Sequence, residues 1–323
     1  MTSIVPNFKE LHNFSLACDK LWQLDQYRLT PGKDYKLDLH RNGRCDVEGP
    51  KRTLFAFVDP KVFERPLVKH FIALLDNYER RTGEREMLTN NEIYENNQFL
   101  NELLKTKVMR YVYRCVCEFY ERRPHVLINS WLVERKKIRG GENVFKKEVE
   151  AIWFDFYRRE AQNDSSGFEH VFVGEERNGQ VIGLHNWIQM YLEERAGHFQ
   201  YEGFVRPNQR GLSAMKPQEY EQLLTIRFHW HHVTKYASTS LIGVSPEFEV
   251  ALYTLCFLNG NEDNIVQLGP YNCRIKCFTK KTGNRVRIGA AYPETCPLTK
   301  DQAATRIQSS FRGFHVKKLY TRT

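Results

Sequence analysis

A chain of 323 residues with 41% apolar and 13% aromatic residues carries enough nonpolar surface for one large core or two smaller ones, which excludes a disordered chain. Its net charge of +9 is unevenly spread: residues 299–323 hold six Lys or Arg against one Asp, or +5, leaving +4 for the other 298 residues. The body is therefore too mildly basic for charge alone to argue for a nucleic-acid partner.

In chain order, a helix is expected around Leu11–Leu24, followed by turn signals at Thr30-Pro31-Gly32-Lys33-Asp34 and Asn42-Gly43. Leu54–Val58 is a short apolar run closed by Pro60, and a helix runs from Arg65-Pro66 through Tyr78 towards Gly83. Thr89-Asn90-Asn91-Glu92 is an N-cap signal for a helix predicted to run unbroken from Glu92 to about Arg122. Its stripe Leu100, Leu103, Leu104, Val108, Val112, Cys115 and Phe119 reads as core, without chemistry. Residues 134–148 read as a charged, solvated loop around Gly140-Gly141, and Phe145–Glu160 as a helix. The run Gly167–Glu175 alternates like a strand, which places His170 on the side of Phe168 and Phe172. Asn186–Arg195 then reads as a helix stopping at Gly197.

Beyond it the pattern turns to strands, at Gln200–Val205, Leu223–His231, Leu241–Val244, Ile265–Leu268, Cys273–Thr279 and Val286–Ala290, interrupted by a helix over Pro246–Leu258. A helical first half and a mixed second half indicate an α+β fold rather than alternating βαβ units. No glycine-rich phosphate loop is present, which argues against nucleotide-cofactor chemistry. Eight scattered cysteines without a CxxC pair read as reduced thiols. With no apolar leader segment and no run of about 18 apolar residues, they set the expectation of an intracellular protein, cytoplasmic or nuclear.

His170 and His185 each lie near glycines, and a strand and helix folding back on each other would set both imidazoles at one cleft. Two imidazoles can supply a base and an acid near neutral pH, although two histidines at such spacing are more often structural. Joined by a lysine, they suit one reaction in particular. One imidazole deprotonates a ribose 2′-hydroxyl, the other protonates the departing 5′-oxygen, and the ammonium neutralises the phosphorane oxygens. His229, His231 and His232 could be considered for a metal, but strand alternation divides them, so a structural or surface role is expected.

Four motifs in order carry a resemblance: Asp164-Ser165-Ser166-Gly167-Phe168-Glu169-His170-Val171-Phe172-Val173-Gly174-Glu175, Gly183-Leu184-His185-Asn186-Trp187-Ile188-Gln189, Ser240-Leu241-Ile242-Gly243-Val244-Ser245-Pro246-Glu247-Phe248-Glu249 and Ile288-Gly289-Ala290-Ala291-Tyr292-Pro293. Over roughly residues 10–297 the chain resembles the EndoU family of poly(U)-specific endoribonucleases. The resemblance implies an EndoU-like fold, with a helical lobe over about 1–162 and a catalytic lobe of antiparallel sheets flanked by helices over about 163–297. It implies cleavage of single-stranded, U-rich RNA to 2′,3′-cyclic phosphate ends. It casts His185 as general base, His170 as general acid and Lys235 as the catalytic lysine. Gly183 is implied as a backbone phosphate donor, Thr239 or Ser240 as the uracil-reading hydroxyl, and Tyr292 as the ring against the uridine. Glu169 and Glu175 match acids tied to dependence on Mn²⁺, or Ca²⁺ in its place; the residues themselves equally allow a solvent-facing Glu169 and a turn-capping Glu175.

Residues 298–323 fall outside that pattern. Thr299-Lys300-Asp301-Gln302 is a capping-box signal, and Ala304, Ile307, Phe311 and Phe314 give one apolar face on a basic helix. Ile307, Gln308, Phe311, Arg312, Gly313 and Lys317 lie in a segment that resembles the IQ motif, which implies calmodulin or a related EF-hand protein as partner. The competing whole-chain reading is a non-catalytic RNA-binding adaptor that recruits calmodulin through this tail.

Overall fold

The computed structural model describes residues 3–39, 53–122, 141–205 and 221–296. The IQ-like segment with Ile307, Gln308, Phe311, Arg312, Gly313 and Lys317, the turn at Asn42-Gly43 and residues 134–140 of the charged run lie outside them; from Glu142 the rest of that run is helical, not loop.

The first half is helical: α1 (Phe8–His12), α2 (Phe14–Leu24), α3 (Pro66–Ile72), α4 (Asn90–Lys105), α5 (Lys107–Arg122) and α6 (Glu142–Phe154), with a small antiparallel pair β1 (Tyr35–Leu37) and β2 (Phe55–Val58). The helix expected over Leu11–Leu24 begins earlier and is broken at Asn13, whose side chain accepts from Leu16 N and caps α2. The unbroken helix expected from Glu92 to Arg122 is two helices. Thr106 ends α4 in an extended conformation, its hydroxyl donates to Leu103 O at 2.6 Å, and Met109 N donates back to it at 3.3 Å. One threonine thus closes one helix and caps the next, so the apolar stripe continues across the break. The Thr89–Glu92 capping box forms as its sequence implies.

The second half holds β3 (Glu175–Arg177), β4 (Gln180–Ile182), α7 (Trp187–Ala196), β5 (Phe199–Phe204), β6 (Leu223–Trp230), β7 (Val233–Leu241), α8 (Pro246–Asn259), β8 (Asp263–Leu268), β9 (Tyr271–Thr282) and β10 (Arg285–Thr295). All strand pairings within the named sheets are antiparallel, in the orders β3-β4, β5-β6-β7 and β10-β9-β8. The fold is α+β. Helix α8 is the hub: every residue from Pro246 to Leu258 is buried, which is why it is apolar around most of its circumference. One continuous core joins residues of both halves, from Leu21 and Phe99 to Phe248 and Ile288.

Two sequence expectations change in ways that matter for the site. The Gly167–Glu175 run is not a strand. Residues Glu169–Val173 form a single π-helical turn, all five buried. A segment enclosed on every side has no polar face, so alternation of residue types says nothing about its period. Helical winding puts Phe168 and Phe172 together, with ring centroids 5.1 Å apart, and Phe168 packs on Phe71, Phe99 and Phe154 at 5.2–6.0 Å. His170, two residues on from Phe168, turns away from this aromatic bed rather than joining it.

Lys235, expected between strands, lies inside β7. Trp230 pairs with Val233 across a two-residue turn, His231-His232, both at positive φ (45° and 71°). Such hairpin turns usually carry Asn or Gly, so a His-His turn gives no sequence signal.

Candidate active site

Two crossing segments build the site. Leu184 N donates to His170 O (3.1 Å) and His185 N to Val171 O (3.0 Å), locking the residue 184–185 segment against the π-helical turn. The crossing is close enough to require glycine. A Cβ on Gly183 would meet His170 O at 1.7 Å, and one on Gly174 would meet Leu184 Cβ at 2.6 Å; both backbones are left-handed, at φ 65° and 96°. Leu184 itself sits at φ 56°, a strain of about 1 kcal/mol that an L-residue carries only where its surroundings impose it.

The turn is held from below. Asp164 accepts backbone N–H bonds from Arg159, Glu160, Ala161 and Gly83 at 2.6–3.0 Å. Burial opposes its ionisation, but these four donors outweigh it and hold the carboxyl below its ordinary range. Glu169 and Ser166 exchange bonds: Ser166 N donates to Glu169 Oε2 (3.0 Å) and Glu169 N to Ser166 Oγ (3.1 Å). Burial, and after it the charge of Glu175, push the Glu169 carboxyl well above its usual range, favouring its neutral form.

His170 Nδ1 lies 2.5 Å from Glu175 Oε2, and Arg159 Nε approaches the same oxygen at 3.2 Å. Arg159 is fixed in turn by Ser165 Oγ, the Tyr157 hydroxyl and Gly289 O. Burial pushes the His170 imidazole down in pKa, while its bond to the Glu175 carboxylate pulls it back up.

His185 is set differently. Its Nδ1 lies 3.0 Å from Thr239 O and 3.2 Å from Ser238 Oγ. A carbonyl oxygen can only accept, so Nδ1 carries the proton and Nε2 holds the lone pair. Burial first, then the Lys235 charge, hold this imidazole well below its ordinary range. Its ring stacks on Tyr292, with centroids 4.9 Å apart and planes 13° apart. The following residue, Asn186, caps α7 through Ile188 N and Gln189 N, and its amide donates to Glu249 Oε2 (2.6 Å) on the hub helix. Burial pushes Glu249 up to about 8.

Lys235 Nζ donates to Gly183 O, the carbonyl just ahead of Leu184-His185, and burial pushes the ammonium down to about 7. A bulge in β7 brings it there. Ile226 pairs with Ser238, but Phe228 pairs with Lys235, so one extra β7 residue is accommodated. Without the bulge Lys235 would share a face with Thr239; with it, Lys235 shares the His185 face with Ser238 and Ser240.

His170, His185, Lys235, Gly183 and Tyr292 are thus brought together. Thr239 points the other way, its hydroxyl 2.8 Å from Thr225 Oγ1, although its carbonyl holds His185. Ser240 is fully buried, and its Oγ has no hydrogen-bond partner among the described residues. Glu169 and Glu175 do not fit a divalent cation. One Glu175 oxygen already lies between an imidazole and a guanidinium, the other is enclosed and unpartnered, and Glu169 is bonded to Ser166 and disposed to be neutral.

Sequence reading passed over two residues. Arg159 sits in a polar stretch that carries no signal. Ser238 belongs to the hydroxyl cluster 238–240, but only the bulge reveals that it faces His185.

The geometry agrees with four likenesses. A family model described as Endoribonuclease XendoU matches residues 13–293. Uridylate-specific endoribonuclease B of Danio rerio is 39% identical over 290 residues, covering 86% of this chain and 94% of that protein. Poly(U)-specific endoribonuclease-A of Xenopus laevis is 38% identical over 296 residues, covering 87% and 93%. A solved structure described as "The structure of XendoU: a splicing independent snoRNA processing endoribonuclease" superposes with a TM-score of 0.69 at 37% identity, covering 88% of this chain and 98% of that one. The chain belongs to the XendoU family of endoribonucleases.

Proposed function

We propose that this endoribonuclease cleaves single-stranded RNA at uridines by internal transphosphorylation, leaving 2′,3′-cyclic phosphate ends. The observation that carries the reading is the unequal partnering of the two Nδ1 atoms, a carbonyl and a serine hydroxyl for His185 and a carboxylate for His170. His185, neutral with its lone pair on Nε2, takes the proton of the 2′-hydroxyl. The 2′-oxygen forms a bond to phosphorus as the bond from phosphorus to the 5′-oxygen breaks. His170, whose cationic form is favoured by the Glu175 carboxylate, gives its proton to that 5′-oxygen. Lys235 neutralises charge on the non-bridging oxygens, and the backbone N–H of Gly183 donates to one of them.

Preference for uridine follows the names of the relatives. Tyr292, half-buried and stacked on His185, offers a ring for the base to pack against. Neither hydroxyl candidate stands ready for the base without movement of β7: half-exposed Thr239 points away from His185 and is bonded to Thr225, and Ser240 is enclosed. Dependence on Mn²⁺, or on Ca²⁺ in its place, belongs to the proposal as an indirect requirement, with no step routed through the ion. The IQ-like tail is proposed on its sequence pattern alone to bind calmodulin or a related EF-hand protein; loss of pull-down on truncation after Cys296 tests it.

The central test incubates the protein with poly(U) and with poly(A), in Mn²⁺, Ca²⁺ or EDTA, and identifies the product ends. Cleavage of poly(U) to cyclic phosphate, abolished by His185→Ala, is expected. Binding without turnover would instead favour the adaptor reading, and undiminished cleavage by His185→Ala would remove the assigned base.

A further inference from the structure

A second cluster of chemistry-bearing side chains lies at the turn end of the β5-β6-β7 sheet and takes no part in the reaction above. Glu193 is in the last turn of α7. Gly197 ends that helix in a left-handed conformation, and His198 N bonds back to Glu193 O at 2.9 Å. His231 N in turn donates to His198 O at 2.9 Å, extending the pairing of β5 with β6 by one step. Helix end, strand start and hairpin turn thus converge on one point.

At that point His198 Nδ1 lies 3.3 Å and His231 Nε2 3.2 Å from the same Glu193 oxygen. The two imidazoles stack with centroids 4.3 Å apart, and one donor atom from each of the three residues falls within 4.8 Å of the others. Trp230 Nε1 donates to Glu193 Oε2 at 2.8 Å and fixes the carboxylate's orientation. We propose that Glu193, His198 and His231 form a binding site for a divalent transition-metal ion of the Zn²⁺ class.

Three features support it. Ligands bound at about 2.0–2.1 Å in a tetrahedral site stand about 3.3 Å apart, which is the spacing of both imidazole nitrogens from the carboxylate. Two imidazoles and a carboxylate are a donor set for borderline metals rather than for Ca²⁺ or Mg²⁺, and three protein ligands leave a position for water. The carboxylate also has the outer hydrogen bond that orients metal ligands, here from Trp230. Independently, His231 occupies a left-handed position (φ 45°) in a two-residue turn where Asn or Gly is unstrained, and a strained backbone of this kind is found where a side chain has a task. The side chains of His198 and His231 are 49% and 25% exposed, which leaves an ion a route in. A bound ion would tie α7 to the turn that begins β7, four residues before Lys235.

The test strips the full chain with EDTA and titrates ZnCl₂, and separately MnCl₂, by calorimetry, with metal analysis after gel filtration. The double variant His198→Gln/His231→Asn is the reference, because Asn suits the left-handed position and preserves the turn. One more equivalent of Zn²⁺ in the wild type than in the reference is expected, with affinity at that site lowered at least about tenfold in Glu193→Gln. Should the double variant fail to fold, the visible spectrum of Co²⁺ bound to wild type and to Glu193→Gln decides instead, the tetrahedral band being present in the first and lost in the second. Equal uptake by wild type and reference, or unchanged binding by Glu193→Gln, would overturn the proposal and leave the cluster a hydrogen-bonded ion pair.

Discussion

The two sides of the cleft hold their histidines by different physics. His170 rides on a π-helical turn whose position is set by packing, because Phe168 and Phe172 are wedged among Phe71, Phe99, Phe154 and Trp153. His185 rides on an extended segment set by directional bonds, to the backbone of the turn on one side and to β7 on the other. The electrostatics differ in parallel. A carboxylate stands behind the first imidazole, and a carbonyl with an ammonium nearby stands beside the second. In the proposed reaction the acid must hold a proton that the base must lack, and only their unlike partners separate two identical side chains that burial shifts in the same direction.

The contrast can be broken most severely on the His185 side. Lys235→Met should lower kcat by about 10³-fold, the upper range for losing one charge-stabilising donor. The same change should raise the stability of the RNA-free protein near pH 7 by roughly 1 kcal/mol, since it removes a charge that burial disfavours. The sign follows from the folded pKa of about 7 against an ordinary 10.5. The unfolded chain holds the extra proton between those values, so wild-type stability rises with pH across that window and the variant's advantage shrinks towards its upper end. Urea unfolding at several pH values measures it.

On the His170 side, Phe168→Ala should cost about 4 kcal/mol of stability, because it empties the centre of the aromatic bed. Thermal unfolding checks this, and residual activity in the folded fraction should fall as the turn loosens.

Glu175→Gln should lower kcat by about 10²-fold. It also moves a limb of the pH profile. The carboxylate raises the His170 pKa, so without its charge the protonated acid is lost at lower pH, and the descending alkaline limb shifts down. A profile of unchanged shape would remove His170 as the acid.

The smallest effect is expected for Ser238→Ala, a few-fold loss of kcat, corresponding to about 1 kcal/mol for one hydrogen bond of the two at His185 Nδ1. A loss as large as that of Lys235→Met would mean that the serine, not the Thr239 carbonyl, sets the tautomer.

Much of the molecule was legible in advance. The capping box at Thr89–Glu92, the Asn186 and Gly197 limits of α7 and the Ser245-Pro246 start of α8 are local signals, because each satisfies backbone groups within a few residues of itself. The order of motifs likewise indicated the family, and the resemblance singled out His170, His185, Lys235 and Tyr292, which the fold brings together. The tertiary structure alone decided three things. The Gly167–Glu175 run is a helical turn, because complete burial erases the polar face on which periodicity depends. Lys235 faces His185, because a bulge shifts the register of β7 by one residue and reverses its side-chain alternation. The roles of the acids were decided at long range as well: Glu175 serves His170 and Arg159, while Glu193 meets two histidines from different strand ends. A sequence records which groups are present and their local spacing; which of them share a dielectric environment is fixed only when distant segments pack.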